Sequence, residues 1–278
     1  MKIVVAGSSG LIGTRLMEEL RKRGDEAMPL PRFGTAPWEV EGADAVVNLA
    51  GASVAGKRWS PSYKKEILDS RVLSTRALVE SIARATRKPR VLVNASAVGY
   101  YGARADELID ESAGPGSDFL ASVVNAWEAE AQKATVRSVQ LRTGVVLSKT
   151  GGALEKMVPP FKAFAGGPIG SGKQWLPWIH LDDEVAAILF CIDEDLEGPV
   201  NLTAPEPATM NDFARALGRA LRRPSWARVP VAALRLAVGE FAEALLTGQR
   251  AVPKKLLDAG FRFRFAQVDA ALADLFGR

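Results

Sequence analysis

One cysteine and one histidine stand in a chain of 278 residues. A lone Cys191 excludes an internal disulfide and a cysteine metal cluster. A lone His180 excludes a multi-histidine metal centre, so no metal site is expected. No run approaches the ~20 apolar residues that a membrane-spanning helix needs. Repeats and low-complexity tracts are absent. Charge of one sign is scarce as well. The 36 basic and 32 acidic side chains leave a net +4, which suits a phosphate-bearing small ligand without demanding nucleic acid. The chain enters the apolar segment Ile3-Val4-Val5-Ala6 after two residues, so no leader is read and the cytoplasm is the expected location. Cys191 lies among Ile188, Leu189 and Ile192 and reads as a buried thiol.

What is present is an alternation. Ile3 to Ala6 reads as a buried parallel strand. Leu11, Ile12, Leu16, Met17 and Leu20 then fall on one face of a helix, which Gly24 ends. Further strands are expected over Glu26 to Leu30, Ala43 to Leu49, Arg90 to Ala95 and Val136 to Leu141. Helices are expected from Ser60-Pro61 and over Asp118 to Ala134. Such alternation implies a parallel sheet with helices on both faces. Near Leu147 the character changes. Gly151-Gly152, Pro159-Pro160, Gly166-Gly167-Pro168 and Gly170-Ser171-Gly172 read as a loop-rich stretch. Helices follow over Leu181 to Ile192, around Phe213, Leu217 and Leu221, over Val231 to Leu246, and over Val268 to Phe276. The expected fold is α/β: a Rossmann-type, doubly wound parallel sheet with a smaller, mostly helical C-terminal cap. Residues 1–147 form the nucleotide-binding domain, with part of 173–202 returning to it, and 148–278 form the cap.

Gly7-Ser8-Ser9-Gly10-Leu11-Ile12-Gly13 follows a strand and opens an amphipathic helix. Glycines there let the backbone turn tightly and approach a pyrophosphate, and the helix N-terminus supplies free N–H groups. A tight turn without a ligand is the plainer alternative. Arg32 follows the second strand, and no acid stands between Leu30 and Pro37. In dinucleotide folds an acid there binds the ribose 2′-hydroxyl, whereas an arginine accommodates a 2′-phosphate. NADP(H) is therefore the expected cofactor. Asn48-Leu49-Ala50-Gly51 ends a buried strand with small residues that let a cofactor lie against the backbone.

These segments, with Ser96 and Tyr100-Tyr101-Gly102, resemble the extended short-chain dehydrogenase/reductases. Arg58-Trp59, Lys65 to Arg71, Trp127-Glu128-Ala129-Glu130, and Gly166 to Gly172 with Trp178-Ile179-His180 resemble its atypical branch, the epimerase family proteins, also described as nucleoside-diphosphate sugar epimerase-like oxidoreductases. The resemblance runs over nearly the whole chain. It implies an extended Rossmann domain and NADP(H), and it adds Arg32, Leu49, Ala50, Glu66, Arg71 and Val146 as cofactor neighbours. The wider superfamily transfers its proton from a Tyr-x-x-x-Lys pair about 25 residues beyond the catalytic Ser or Thr. Here Asp118 to Trp127 contains neither tyrosine nor lysine. Of the usual catalytic group only Ser96 remains, and Tyr100 is the first alternative donor. Arg142, Trp178 and His180 are candidates for substrate contact, and a structural hydrogen bond is the alternative for His180.

Two functions follow. One is an NADP(H)-dependent, epimerase-like oxidoreductase acting on a small polar or nucleotide-linked substrate, as a monomer or homodimer. The other is a non-catalytic NADP(H)-binding redox sensor or regulatory protein that lacks a proton donor.

Overall fold

A computed structural model describes residues 1–277. In chain order its strands are β1 (Lys2–Ala6), β2 (Glu26–Pro29), β3 (Ala45–Asn48), β4 (Val91–Ala97), β5 (Leu108–Ile109), β6 (Arg137–Thr143), β7 (Val145–Leu147), β8 (Trp175–Leu176), β9 (Trp178–His180), β10 (Gly198–Leu202), β11 (Ala208–Thr209) and β12 (Arg250–Ala251). The α-helices are α1 (Leu11–Lys22), α2 (Pro61–Arg84), α3 (Phe119–Ala131), α4 (Gly152–Lys162), α5 (Leu181–Asp193), α6 (Met210–Leu221), α7 (Val231–Val238), α8 (Ala242–Leu246), α9 (Lys254–Asp258) and α10 (Val268–Phe276). No helix among the described residues is long and apolar enough to cross a membrane.

Six strands form one parallel sheet in the order β10-β6-β4-β3-β1-β2. The central strands β1 and β3 are buried on both faces because helices cover both. Ile3 and Val5 of β1 pack with Leu16 and Leu20 of α1 and Ile188 of α5. Val4 and Ala6 point the other way, toward Leu78 and Ile82 of α2. The local signals act as expected. Ser60 Oγ accepts the Tyr63 N–H at 3.1 Å with Pro61 in the first turn of α2, and Gly24, at φ +81°, takes the left-handed position after α1. Burial pushes the Cys191 thiol up to about 12 and leaves it unreactive.

The sheet runs outward in both directions from β1. The chain passes from β1 to β2 on one side, then returns to place β3 on the other. This reversal opens a crevice at the carboxyl ends of β1 and β3, where open α/β sheets bind ligands.

The cap has its own core, in which Leu154, Phe161, Phe213, Leu217 and Leu272 surround Trp178. Three departures from the sequence expectation concern this half. Pro159 and Pro160 lie inside α4 and not in a loop. Leu154, Val158 and Phe161 bury one face of that helix, and this packing outweighs the loss of two backbone donors near its end. The single helix expected over 231–246 is broken at Gly239, which adopts φ +65°. Finally, Leu256 and Phe261 fold back onto the core of the main sheet. Asp183 at the start of α5 pins that return by accepting the Arg264 and Phe265 N–H groups at 2.8 and 2.9 Å.

Glu184 is wholly buried beneath the carboxyl end of β6. It accepts a 2.8 Å hydrogen bond from Thr143 Oγ1, and its Oε2 has no partner among the described residues. Burial pushes its carboxyl up to about 8, so the folded state holds a proton that an unfolded chain releases near its ordinary value. The stability this protonation provides is complete below about pH 4.5 and is lost as pH rises toward about 8, at roughly 1.4 kcal/mol per pH unit at most. Glu184→Gln should remove that decline, so urea titrations at pH 5 and pH 8 should differ less for the variant than for the parent. An equal pH dependence in both proteins would place the proton elsewhere.

Candidate functional site

Close approach of backbone to backbone shapes the crevice. Gly7, at φ +76°, lies so near β3 that a Cβ there would fall 2.6 Å from the Leu49 carbonyl carbon. A Cβ on Gly13 would fall 2.2 Å from the Gly7 oxygen. Both glycines are thus required by the protein itself. Gly10 differs, because its nearest obstruction is the Gly7 oxygen at 3.4 Å. It is the N-cap of α1, and no side chain caps that helix. The first turn therefore presents unpaired N–H groups, and the positive end of the helix dipole, toward open space. Leu11 and Ile12 anchor this turn on the sheet core, and Val146 packs beside them.

Across the crevice, Leu49 and Ala50 are half-buried and Gly51 is exposed. Arg71 of α2 lies against Gly51, with its guanidinium 5.1 Å from the centre of the Trp127 ring. Its hydrogen bond goes to a neutral acceptor, the Ile67 carbonyl, at 3.0 Å. Burial pushes its pKa down to about 10, so it remains charged at neutral pH without a carboxylate to offset it. Arg32 is exposed beyond β2, and only its carbonyl is engaged, by Thr35. Glu66 sits in solvent opposite Lys57, 3.7 Å away.

Asn48 does not reach into the crevice. It is fully buried, and Nδ2 donates to Thr75 Oγ1 at 2.9 Å and to Asn94 Oδ1 at 2.7 Å. Its Oδ1 accepts the Ala50 N–H. The residue braces β3, β4 and α2 and sets the turn that follows.

At the end of β4 a second group assembles. Ser96 Oγ donates to Glu128 Oε1, and Arg142 grips both oxygens of that carboxylate at 2.9 Å. Arg142 Nη1 also donates to the Tyr101 phenol at 3.0 Å, and the phenol donates to Asn201 Oδ1 at 2.6 Å. Burial alone would weaken the Arg142 cation, but Glu128 and Tyr101 outweigh it and hold the guanidinium above its usual range. Burial likewise pushes Tyr101 up to about 12. Tyr100 lies flat on this assembly, its ring centre 3.5 Å from Arg142 Cζ, and is half-exposed.

Several expected contacts are corrected here. Arg142 is not at an open substrate edge. It belongs to β6, is 3% exposed, and has its donors taken by Glu128 and Tyr101. Ser96 is a buried link whose proton is committed to Glu128 and not a free donor. Trp178 is 1% exposed in the cap core. His180 caps α5, its Nδ1 accepting the Asp182 N–H at 3.1 Å, and its ring lies against Phe265. Burial holds its pKa below the ordinary value, so the imidazole is neutral. Glu128 was the residue that the site needed and the sequence reading passed over. The signal was available: one acid on the stripe Ala121, Val124, Glu128, Ala131, otherwise apolar and buried. The same helix presents Phe119 to Trp59 and Leu120 to Gly99, and neither side chain donates a proton.

Known proteins resemble this chain over nearly its whole length. The profile of the NAD dependent epimerase/dehydratase family matches residues 3–203, and that of a domain of unknown function matches residues 229–275. An epimerase family protein of Mycobacterium tuberculosis is 42% identical over 290 residues, covering 97% of this chain and 96% of its own length. A chloroplastic SDR39U1 homolog of Arabidopsis thaliana is 41% identical, over 98% of this chain and 86% of its own. Human epimerase family protein SDR39U1, solved with NADPH, superposes with a TM-score of 0.95 at 34% identity, covering 99% of both chains.

The buried pair generates a stability prediction. Glu128→Ala leaves the Arg142 cation buried and uncompensated, and should cost roughly 3–5 kcal/mol of unfolding free energy. Chemical denaturation checks this, and a loss below about 1 kcal/mol would show that water reaches Arg142 freely.

Proposed function

This chain belongs to the NAD dependent epimerase/dehydratase family, and we propose that it is an NADP(H)-binding, epimerase-like oxidoreductase acting in the cytoplasm on a small polar or nucleotide-linked substrate. The observation that carries this reading is Arg71, a partly desolvated cation without a carboxylate, lying against Gly51 just beyond the Leu49–Ala50 backbone that Gly7 touches. Together with the uncapped helix turn at Gly10, it calls for a phosphate-rich ligand. Arg32 adds the discrimination, because its free fork at the end of β2 suits a 2′-phosphate. Leu49, Ala50 and Gly51 offer a smooth backbone on the other side, with Val146 beside Leu11 and Ile12 closing the far end.

The nicotinamide, when bound, supplies or takes up the hydride. The chain's own task is to hold the substrate and to move one proton. Tyr100 is the proposed donor: a carbonyl oxygen that gains negative charge takes its phenolic proton, and water restores it. The Arg142 cation stacked 3.5 Å from the ring centre holds the ring in place. Ser96, Glu128 and Arg142 position Tyr100 and do not themselves meet the substrate. The sensor reading draws on one observation, the apolar face that α3 turns toward the site at Phe119 and Leu120.

Titration of nicotinamide fluorescence tests the binding claim. NADPH should bind saturably in the presence of a chelator, and absence of binding for both NADPH and NADH would end this reading. Arg32→Ala should weaken NADPH by roughly 1.5–3 kcal/mol and NADH far less. Gly10→Val should fold normally and lose both cofactors. Arg71→Gln should weaken both cofactors while stabilising the free protein, since it removes an uncompensated, half-buried charge; a variant that is less stable would show that Arg71 is structural. For the reaction, NADPH oxidation against a panel of small carbonyl and nucleotide-linked compounds identifies a substrate. Tyr100→Phe should then lower kcat by about 10²–10⁴ with NADPH affinity unchanged. Full turnover in that variant would exclude Tyr100, and a panel without turnover would favour the sensor.

A further inference from the structure

Between β3 and α2 the chain runs as a loop, residues 52–60, that leaves the crevice directly from Gly51. Its side chains are small as far as Gly56: Ala52, Ser53, Val54 and Ala55. Such side chains bury little apolar surface, so the hydrogen bonds at each point decide how firmly the loop is held.

The two ends of the loop are firmly held. The Ala52 N–H donates to Ser70 Oγ at 3.0 Å, and the Tyr63 phenol donates to the Ser53 carbonyl. Trp59 lies against Phe119, with 5.0 Å between ring centres, and against Phe241 of the cap at 5.5 Å. Its indole N–H donates to the Val54 carbonyl at 2.8 Å. Arg58 Nη1 donates to the Leu236 carbonyl at 3.0 Å, and Lys64 pairs with Glu240 in the 3₁₀ turn Gly239–Phe241.

The tip of the loop is held differently. α4 begins at the other rim of the crevice, where a Cβ on Gly151 or Gly152 would fall 3.4 or 3.2 Å from the Leu11 side chain. Leu11 is the first residue of α1. One turn into α4, Lys156 extends to the loop, and its Nζ donates to the Ala55 carbonyl at 3.0 Å. This one bond joins the Leu11 rim to the Gly51 rim. It is exposed to solvent, its acceptor is neutral, and Lys156 has no carboxylate partner among the described residues. A bond of this kind exchanges readily with water, whereas the ends of the loop stay fixed by buried aromatic contacts.

We propose that residues 52–60 form a strap across the mouth of the dinucleotide crevice, fastened by the Lys156–Ala55 bond, and that the cofactor enters and leaves when this bond opens. The proposal rests on the dinucleotide reading for the occupant of the crevice. The same bond closes the strap in the free and in the loaded protein. It therefore sets the rate of cofactor exchange and leaves the binding equilibrium unchanged.

Lys156→Met tests this, because it removes the donor at an exposed position and keeps a side chain of similar length. Stopped-flow nicotinamide fluorescence on the full chain should show NADPH association and dissociation both accelerated, by roughly three- to tenfold, the factor that one exposed hydrogen bond represents. The dissociation constant should stay the same. Lys156→Arg retains a donor and should bring both rates back toward those of the parent. If dissociation alone accelerates and affinity is lost, Lys156 is a direct cofactor contact and the strap is wrong. Rates equal to the parent's also overturn it. A second measurement needs no cofactor. Backbone hydrogen exchange of the free chain, followed by mass spectrometry, should be faster across 52–57 in Lys156→Met than in the parent, with the strands of the sheet unaffected. Equal exchange in both proteins removes the fastening and the proposal with it. If the parent binds no NADPH, the cofactor reading falls, and the exchange measurement alone decides whether the loop is fastened.

Discussion

An arginine placed in the interior of a protein must find a charge and enough acceptors, or the fold carries a large penalty. At Arg142 that requirement organises the carboxyl edge of the sheet. Glu128 supplies the charge from α3, so the helix is held at one rotation relative to β6. Ser96 joins the same carboxylate from β4, and Tyr101 carries the chain of hydrogen bonds to Asn201 on β10. Asn201 in turn is fully engaged: its N–H donates to Glu111 and its Nδ2 to the Val252 carbonyl. Three neighbouring strands, one helix and the start of the C-terminal segment are thereby locked in one register. Tyr100 inherits its place from this lock, because its ring rests on the Arg142 guanidinium.

Two other arginines show the opposite arrangement. Arg71 and Arg250 each lie against an aromatic ring, Trp127 and Trp175, and each lacks a carboxylate or acceptor that would complete it. Arg142 is thus satisfied completely, whereas Arg71, against Gly51 at the end of β3, and Arg250, on β12, are left incomplete. Cap contacts such as Arg58 to the Leu236 carbonyl and Trp59 against Phe241 keep the two walls in reach of one another.

The elements that were readable in the sequence are those whose cause is local. Glycine at Gly24, serine and proline at Ser60-Pro61, and the apolar period through Leu16 and Leu20 act within one or two turns of their own position. The family resemblance was readable for the same reason that the glycine turn was: its residues lie close together along the chain. Elements set by distant packing were misread. Pro159-Pro160 read as a break, but the buried stripe of α4 kept the helix. The segment 231–246 read as continuous, although Gly239 turns back at a positive φ beside Arg58. Arg142 was placed at an open edge in the same way, because a polar residue near the end of a strand looks identical in sequence whether its partner is a substrate or a buried acid, while His180 makes the structural hydrogen bond that was its alternative.

The sequence by itself determined the parallel alternation, the glycine turn at the first crossover, the absence of an acid near Arg32, and the absence of a tyrosine and lysine from α3. Each is a property of residue type and spacing along a few turns of chain, and so it survives without coordinates. Only the tertiary structure decided which charges are paired. Glu128 and Arg142 are 14 positions apart, and Tyr101 and Asn201 are 100 apart. Desolvation acts through space: burial makes an unpaired guanidinium expensive and a paired one rigid, and the sequence does not record which neighbours burial will bring.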